Sequence, residues 1–520
     1  MLTHQLIQFF ARSFADELMV SESGRSFTFA SGNIYVNRIA NLLLAKGLSA
    51  GDRVAILGEN SADHLMLLFA IGQLGMVMVP LNFRLAVGEL EYIIKDAEAS
   101  LLLVTDNDSL KKAEQLAARI KGIEVYSNFK SEAGDWLDEV DGRKQTPVQA
   151  AEPLVPDGIL LQLYTSGTTG RPKGVMISHR NLLSLSVQNS AGLMNRPHVG
   201  SRDLIIAPLF HVGGLATAVI ALLAGGGVVL HRVFDPAAVV DALEGDGITA
   251  VFMVPAMIQA LIHNVPDIRQ RDFSHLKCIT YGASPISEGL LREAISVFHC
   301  EFVQYFGQTE TGGGVLSLTW NDHQMALSGR PDLLRSCGRS MAGVSIRVCD
   351  KRGNELPCGK TGELAVRSDT NMVSYWKLPQ ETQQTLKDGW IYTGDAGYLD
   401  ENGYAFLRDR IKDMVVTGGE NVYPAEVEQV LGAHPSILEV AVIGIPDQKY
   451  GEALLAVAVL KQGASLGQQE LLEFCREKIA GYKIPRQLII VDALPRNASG
   501  KILKTALREP YWAGKDRSIG

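Results

Sequence analysis

The sequence predicts an α/β protein of more than one domain. Three observations carry that prediction. Strand and helix signals alternate through residues 52–105 and again through 204–310. A stretch of short strands and glycine-rich turns then runs from about 335 to 408. After it the α/β texture resumes and continues to about 491. At 520 residues the chain is also too long for one ordinary core.

The elements follow in order. Arg53–Leu57 reads as a strand, Asn60 as the cap of a helix carrying Leu65, Leu68, Phe69 and Ile71, and Met76–Pro80 as the next strand. Glu89–Ala97 is helical and Leu101–Val104 a strand, as in βαβ units around a mostly parallel sheet. Residues 128–157 are polar and read as a connecting excursion. Ile159–Leu163 is an apolar strand, and Asn181–Gln188 is helical. A second α/β stretch has strands at Leu204–Ala207, Ala250–Val254, Cys278–Tyr281 and Phe302–Phe306. Its helices are Val239–Leu243, Met257–His263 and Glu288–Phe298. Short strands at Val344–Val348, Gly362–Val366, Trp390–Thr393 and Tyr404–Leu407 suggest a small β-barrel or sheet. The charged run Asp409–Asp413 marks a boundary, giving 1–409, a hinge at 410–412, and a second unit at 413–520.

Composition excludes several classes. Hydrophobic content of 46% with 20% charged residues is that of a soluble globular protein. A formal net charge of -8 argues against general nucleic-acid binding. The six cysteines form no C-x-x-C pair and no metal-ligand spacing, which fits reduced thiols in a cytoplasmic protein. Met1–Met19 lacks the cationic start and apolar core of a signal peptide. The longest apolar stretch, Leu215–Leu230, is too short and glycine-rich to span a bilayer. Peripheral lipid contact and a homodimer stay open.

Seven polar islands follow strands, where open α/β sheets place ligands. The most distinctive is Tyr164-Thr165-Ser166-Gly167-Thr168-Thr169-Gly170-Arg171-Pro172-Lys173-Gly174, with three glycines, four small hydroxyl side chains and two cations. Its N–H and O–H donors suit phosphate oxygens, although alone it also suits a surface turn, and it is not a Walker A loop. The others are Pro208–His211, Gly282–Pro285, Tyr305–Glu310, Tyr392–Asp395, the 410–421 segment and Pro495–Lys501.

In this order and at these separations the islands resemble the adenylate-forming superfamily, and within it the acyl-CoA synthetase branch. The resemblance covers nearly the whole chain. It implies two parallel-sheet α/β subdomains and a small β-barrel in a large N-terminal domain, with a small, mobile α+β C-terminal domain. It also implies a two-step ligase using ATP, Mg²⁺ and coenzyme A: a carboxylate attacks the α-phosphate, then the CoA thiol displaces AMP.

The roles below are what the resemblance implies. Thr165, Ser166, Gly167, Thr168, Thr169, Gly170 and Lys173 hold the β- and γ-phosphates. Gly282, Ala283 and Ser284 form one wall of the nucleotide site. Tyr305 stacks on adenine, next to Gly307. Thr309 bonds the α-phosphate and Glu310 ligates Mg²⁺. Asp395 and Arg410 hold the ribose. Lys501 enters from the second domain and bridges the carboxylate and the α-phosphate. Lys412 is the hinge. Gly418, Gly419, Glu420 and Tyr450 approach CoA.

His211 stands where the family's acyl- and aryl-CoA synthetases place a histidine near the substrate carboxylate, which argues against an amino-acid substrate. The acyl pocket is expected at His211, Val212, Gly213, Gly282 and Gly312-Gly313-Gly314. These small residues leave room for a medium- or long-chain fatty acid. An aromatic or alicyclic acid is an alternative. So is a stand-alone enzyme loading a carrier protein, since no carrier domain follows Lys501. A luciferase-like oxygenase shares every motif and ranks third.

Overall fold

The computed structural model describes residues 1–127, 136–148, 150–165, 171–192, 197–284, 286–410, 413–417, 420–447, 450–476, 478–496 and 501–513. Two large sheets dominate. One has seven strands in the order Ser374–Tyr375, Lys173–Ser178, Ile159–Thr165, Val77–Leu81, Arg53–Leu57, Ala99–Val104 and Glu124–Ser127. Pairing is parallel from Ile159–Thr165 onward, as the βαβ pattern predicts. The other has nine strands: Arg339–Ser340, Gly313–Leu318, Glu301–Gln308, Cys278–Gly282, Ala250–Met253, Arg202–Ile205, Gly227–Leu230, Leu18–Glu22 and Arg25–Thr28. The N-terminal hairpin at 18–28 therefore completes a sheet otherwise built from residues beyond 200, a pairing that no local pattern announces.

Apolar helices lie against both sheets. Every residue of Ala62–Leu74 is buried, and Val212–Leu223 is buried along most of its surface. This explains why the 215–230 stretch is so apolar without being a membrane span: its helix is an interior one. No helix among the described residues is long and apolar enough to cross a membrane. Asp63, inside the first of these helices, has its carboxylate bonded by Arg25 and Tyr35, both at 2.7 Å.

The nine-stranded sheet has two distinct faces. Leu204, Val251, Met253, Ile279, Tyr281, Phe302 and Leu318 point into one apolar cluster with the helices at 236–264 and 288–298. The alternate residues face the Val212–Leu223 helix, where a Cβ on Gly213 would lie 3.2 Å from the Phe252 ring. The short-strand region forms a five-stranded antiparallel sheet. The C-terminal residues build their own five-stranded sheet, covered by helices Pro424–Gly432, Gln468–Arg476 and Lys504–Trp512. Asp413 is tied into this unit by Arg508 at 2.5 Å.

Some expectations shift. Ser61, not Asn60, precedes the Ala62–Leu74 helix. Within the excursion at 128–157, Trp136–Asp141 is helical and anchored by a fully buried Trp136.

Burial holds three histidines neutral: His4, His64 and His179 are each lowered to about 4. An unfolded histidine titrates near ~6.5, so between about 6.5 and 4 the unfolded chain binds more protons than the folded one. Stability is therefore expected to fall as pH drops through that window. For His64, 1% exposed, the loss approaches about 3 kcal/mol. Urea midpoints measured from pH 7.5 to 4.5 should decline, and His64→Gln should flatten part of the slope. An unchanged slope would contradict the buried-neutral assignment.

Candidate active site

The site is built around the turn between Glu301–Gln308 and Gly313–Leu318. A Cβ on Gly307 would sit 1.8 Å from the Gly313 carbonyl, so glycine is required for the two strands to close. Gly312 has φ 71°, and a Cβ there would lie 2.2 Å from the Thr370 carbonyl. Thr309, Glu310 and Thr311 form one 3₁₀ turn, locked by the Thr311 hydroxyl to the Gln308 and Gly313 carbonyls at 2.9 Å.

This turn places Glu310 beside the donor-rich loop. The Tyr375 hydroxyl donates to Glu310 Oε1 at 2.8 Å, and the Met372 N–H donates to the Glu310 carbonyl at 2.8 Å. Tyr375 lies in a strand paired with Lys173–Ser178, and the Lys173 ammonium is 5.2 Å from its ring centroid. Burial, then the Glu310 charge, raises the Tyr375 pKa, so it stays a hydroxyl donor. Thr165 pairs across from Lys173 at the mouth of the loop. Tyr164 beneath it donates to Asp96 at 2.6 Å. Ser166, Gly167, Thr168, Thr169 and Gly170 lie outside the described residues.

Gly282, Ala283 and Ser284 end the strand beside Tyr305. A Cβ on Gly282 would meet the Tyr305 carbonyl at 2.3 Å. Ala283 is exposed with φ 66°, a left-handed conformation costing an alanine roughly 1 kcal/mol. Asp395 is buried, and its strand neighbour across the pair is Arg410. Its N–H donates to Thr393 Oγ1 at 3.1 Å, and that hydroxyl donates to the Leu364 carbonyl at 2.9 Å. Gln308 Nε2 reaches the Thr393 carbonyl at 3.4 Å, linking this strand to the Glu310 turn.

His211 begins the Val212–Leu223 helix. Its ring packs on Phe210 at 4.5 Å, and its Nε2 is buried with no hydrogen-bond partner among the described residues. Burial lowers its pKa to about 4, helped by the charges of Lys501 and Arg84. Lys501, from the C-terminal unit, therefore lies near enough for its charge to act on His211. Asn60 sets the His211 loop in place. Its amide donates to the Ala207 and His231 carbonyls at 3.1 Å, and its Oδ1 accepts from Leu209 N–H at 2.8 Å. Asn60, Tyr375 and Arg84 are functional neighbours that the sequence reading missed. A lone Asn, Tyr or Arg far away in the chain carries no local signal of such contacts.

Two expectations change. Tyr305 was expected to stack on adenine. Its ring instead lies across Gly314, where a Cβ would approach it to 3.1–3.3 Å, and its hydroxyl is buried. By strand alternation it shares a face with Val303, Thr280 and Phe252, the face toward the Val212–Leu223 helix. The glycine trio was expected to leave room for a tail. The space beside Gly312 is filled by Thr370, a Cβ on Gly313 would meet Leu185 at 3.3 Å, and Gly314 carries the Tyr305 ring.

Lys412, expected to be the hinge, and the glycines Gly418 and Gly419 lie outside the described residues, as do the side chains of Arg410 and Glu420. Tyr450 is capped by Arg486, whose guanidinium is 4.0 Å from its ring centroid. No group of three or more metal-ligating side chains occurs among the described residues. A single carboxylate, Glu310, suits Mg²⁺, which usually keeps waters and takes its other ligands from substrate phosphates.

This arrangement is that of an adenylate-forming enzyme. The chain belongs to the AMP-binding enzyme family: the family model matches residues 7–376, and the AMP-binding enzyme C-terminal domain matches 426–501. It is an AMP-forming acid–thiol ligase of the acyl-CoA synthetase branch, using ATP, Mg²⁺ and CoA. A fatty acid–[acyl-carrier-protein] ligase of Streptomyces coeruleorubidus is 40% identical, with 95% of this chain and 94% of that one aligned. A feruloyl-CoA synthase of an Amycolatopsis species is 38% identical over 95% of both. Among solved structures, ATP-bound MatB from Rhodopseudomonas palustris superposes with a TM-score of 0.88 at 31% identity, over 99% of each chain.

Tyr375→Phe removes one hydrogen bond to the Glu310 carboxylate. Such bonds contribute about 1.5–3 kcal/mol, so adenylation should fall about tenfold or more and need more Mg²⁺ for half-maximal rate. Pyrophosphate release titrated with Mg²⁺ checks this; an unaltered Mg²⁺ curve would count against the contact.

Proposed function

We propose that the enzyme activates a medium-length carboxylic acid as its adenylate and passes the acyl group to CoA. The observation that carries this reading is the convergence of Lys173, Tyr375 and Glu310 at one end of a site whose other end holds His211 under the charge of Lys501. A carboxylate is a poor acyl donor because oxide is a poor leaving group. An adenylate supplies a better one. In the first step a carboxylate oxygen bonds to the α-phosphorus as the bond to pyrophosphate breaks. In the second the CoA sulfur bonds to the acyl carbon, AMP leaves, and the thiol proton is released.

The chain's own residues ease the meeting of two anions. Lys501 sits between carboxylate and α-phosphate and lowers their repulsion. The 165–173 loop grips the leaving pyrophosphate, and Thr309 donates to the α-phosphate. Glu310 would hold Mg²⁺, which neutralises phosphate charge when bound. Gly282, Ala283 and Ser284 wall the nucleotide, and Asp395 and Arg410 orient its ribose. A neutral His211 receives the carboxylate end of the acid without a competing ion pair. Rotation about Lys412 then withdraws Lys501 and brings Gly418, Gly419, Glu420 and Tyr450 toward the adenylate.

The acid is read as medium-length because the Tyr305 ring fills the space that Gly314 leaves. A second reading, loading of a carrier protein, is favoured by the 40% identity to a carrier-protein ligase. Purified enzyme with ATP, Mg²⁺ and a panel of acids should release pyrophosphate and, with CoA, form acyl-CoA. Thioester on an acyl carrier protein alone, with none on CoA, would overturn the CoA reading. Lys501→Ala should lose about a hundredfold or more in adenylation yet still form thioester from supplied acyl-AMP. Equal loss in both half-reactions would sink the domain-rotation assignment. Lys412→Pro should impair the CoA step and spare adenylation.

A further inference from the structure

The face of the nine-stranded sheet that looks toward the Val212–Leu223 helix is unusual. Its central residues Phe252, Thr280 and Tyr305 are only half-buried, although they lie mid-sheet. Opposite them Gly213, Thr217 and Ile220 are also half-buried, at i, i+4 and i+7 on one side of the helix. A cleft therefore runs between helix and sheet, starting at His211. Seven residues of helix correspond to a length of about 11 Å. Four residues of strand, from Gly282 back to Cys278, correspond to about 13 Å.

The sheet side of this cleft carries polar groups at two levels, Tyr305 in register with Gly282 and Asp203 in register with Cys278. The Tyr305 hydroxyl is buried and has no hydrogen-bond partner among the described residues. So is Oδ1 of Asp203, a residue only 4% exposed. Asp203 pairs in register with Ala250, and Ala250 with Cys278, which puts it on the same face as Tyr305. Ser317, directly across from Tyr305 on the neighbouring strand, also has an unpartnered buried hydroxyl. Burial raises the Asp203 carboxyl to about 7 and keeps the Tyr305 phenol protonated, with Cys278 and Asp203 adding to the rise at Tyr305. Buried polar atoms without partners are costly, and a fatty tail would leave these unpaired. A hydroxyl is the group that can satisfy either one, since it can accept from Tyr305 or donate to Asp203.

We propose that Tyr305 and Asp203 form the specificity floor of the acyl cleft and select acids bearing a hydroxyl at the end remote from the carboxylate. The proposal rests on the acid-activating reading above and sharpens its substrate class. The experiment compares matched pairs, 8-hydroxyoctanoate with octanoate and 4-hydroxycinnamate with cinnamate, by pyrophosphate release with the full-length enzyme. At least one hydroxylated acid should exceed its plain partner in kcat/KM by about tenfold or more. Tyr305→Phe and Asp203→Asn, which keep shape, should each shrink that ratio by about tenfold. Two variants are used so that one that fails to fold does not decide the matter, and melting temperatures identify such a case. Plain acids used as well as their hydroxylated partners, or a ratio unmoved by either variant, overturns this inference and leaves acid activation standing. Absence of pyrophosphate with every acid would instead overturn the activation reading, and this one with it.

Discussion

The site depends on one close backbone approach. The strands at 301–308 and 313–318 can meet only because Gly307 presents no side chain to the Gly313 carbonyl, 1.8 Å from where a Cβ would stand. From that closure the rest follows. The intervening turn projects Glu310 toward Tyr375, Gly312 nests on Thr370, and Gly314 receives the Tyr305 ring. A side chain at any of these glycines would have to displace backbone atoms, or the Tyr305 ring at Gly314, and with them the Glu310 carboxylate.

Charge is handled by distance along the chain rather than by local clusters. Lys173, Glu310, Asp395 and Lys501 come from separate segments, and no metal-ligating group of three occurs among the described residues. The site's charges are therefore single side chains that the fold brings together from distant segments. His211 fits the same logic. Held neutral at about 4 by burial and by the nearby cations Lys501 and Arg84, it offers a polar edge without adding a further positive charge.

Much of the architecture was legible. Parallel βαβ units, the antiparallel short-strand region and the C-terminal α/β unit all have periodicities that local sequence carries. The order of polar islands pointed to an adenylate-forming enzyme, the family to which the chain belongs. What was not legible are contacts between residues far apart in sequence. Nothing near Leu18–Glu22 says that it pairs with Gly227–Leu230, and nothing near Asn60 says that it holds the loop before His211.

Tyr305 and Asp203 divide the two kinds of knowledge. The sequence by itself determined that Tyr305 leaves a strand at a polar turn and that Leu204–Ala207, next to Asp203, is an apolar strand. Strand parity is a local property, but which face looks toward which helix is settled only when the sheet is assembled and covered. Tertiary packing decided that Tyr305 turns toward the Val212–Leu223 helix, and that Asp203 is buried on the same face. Glycine composition likewise promised empty space, whereas packing filled it with Thr370, Leu185 and the Tyr305 ring. Space and polarity in a pocket are properties of several distant segments at once, so no single stretch of sequence can encode them.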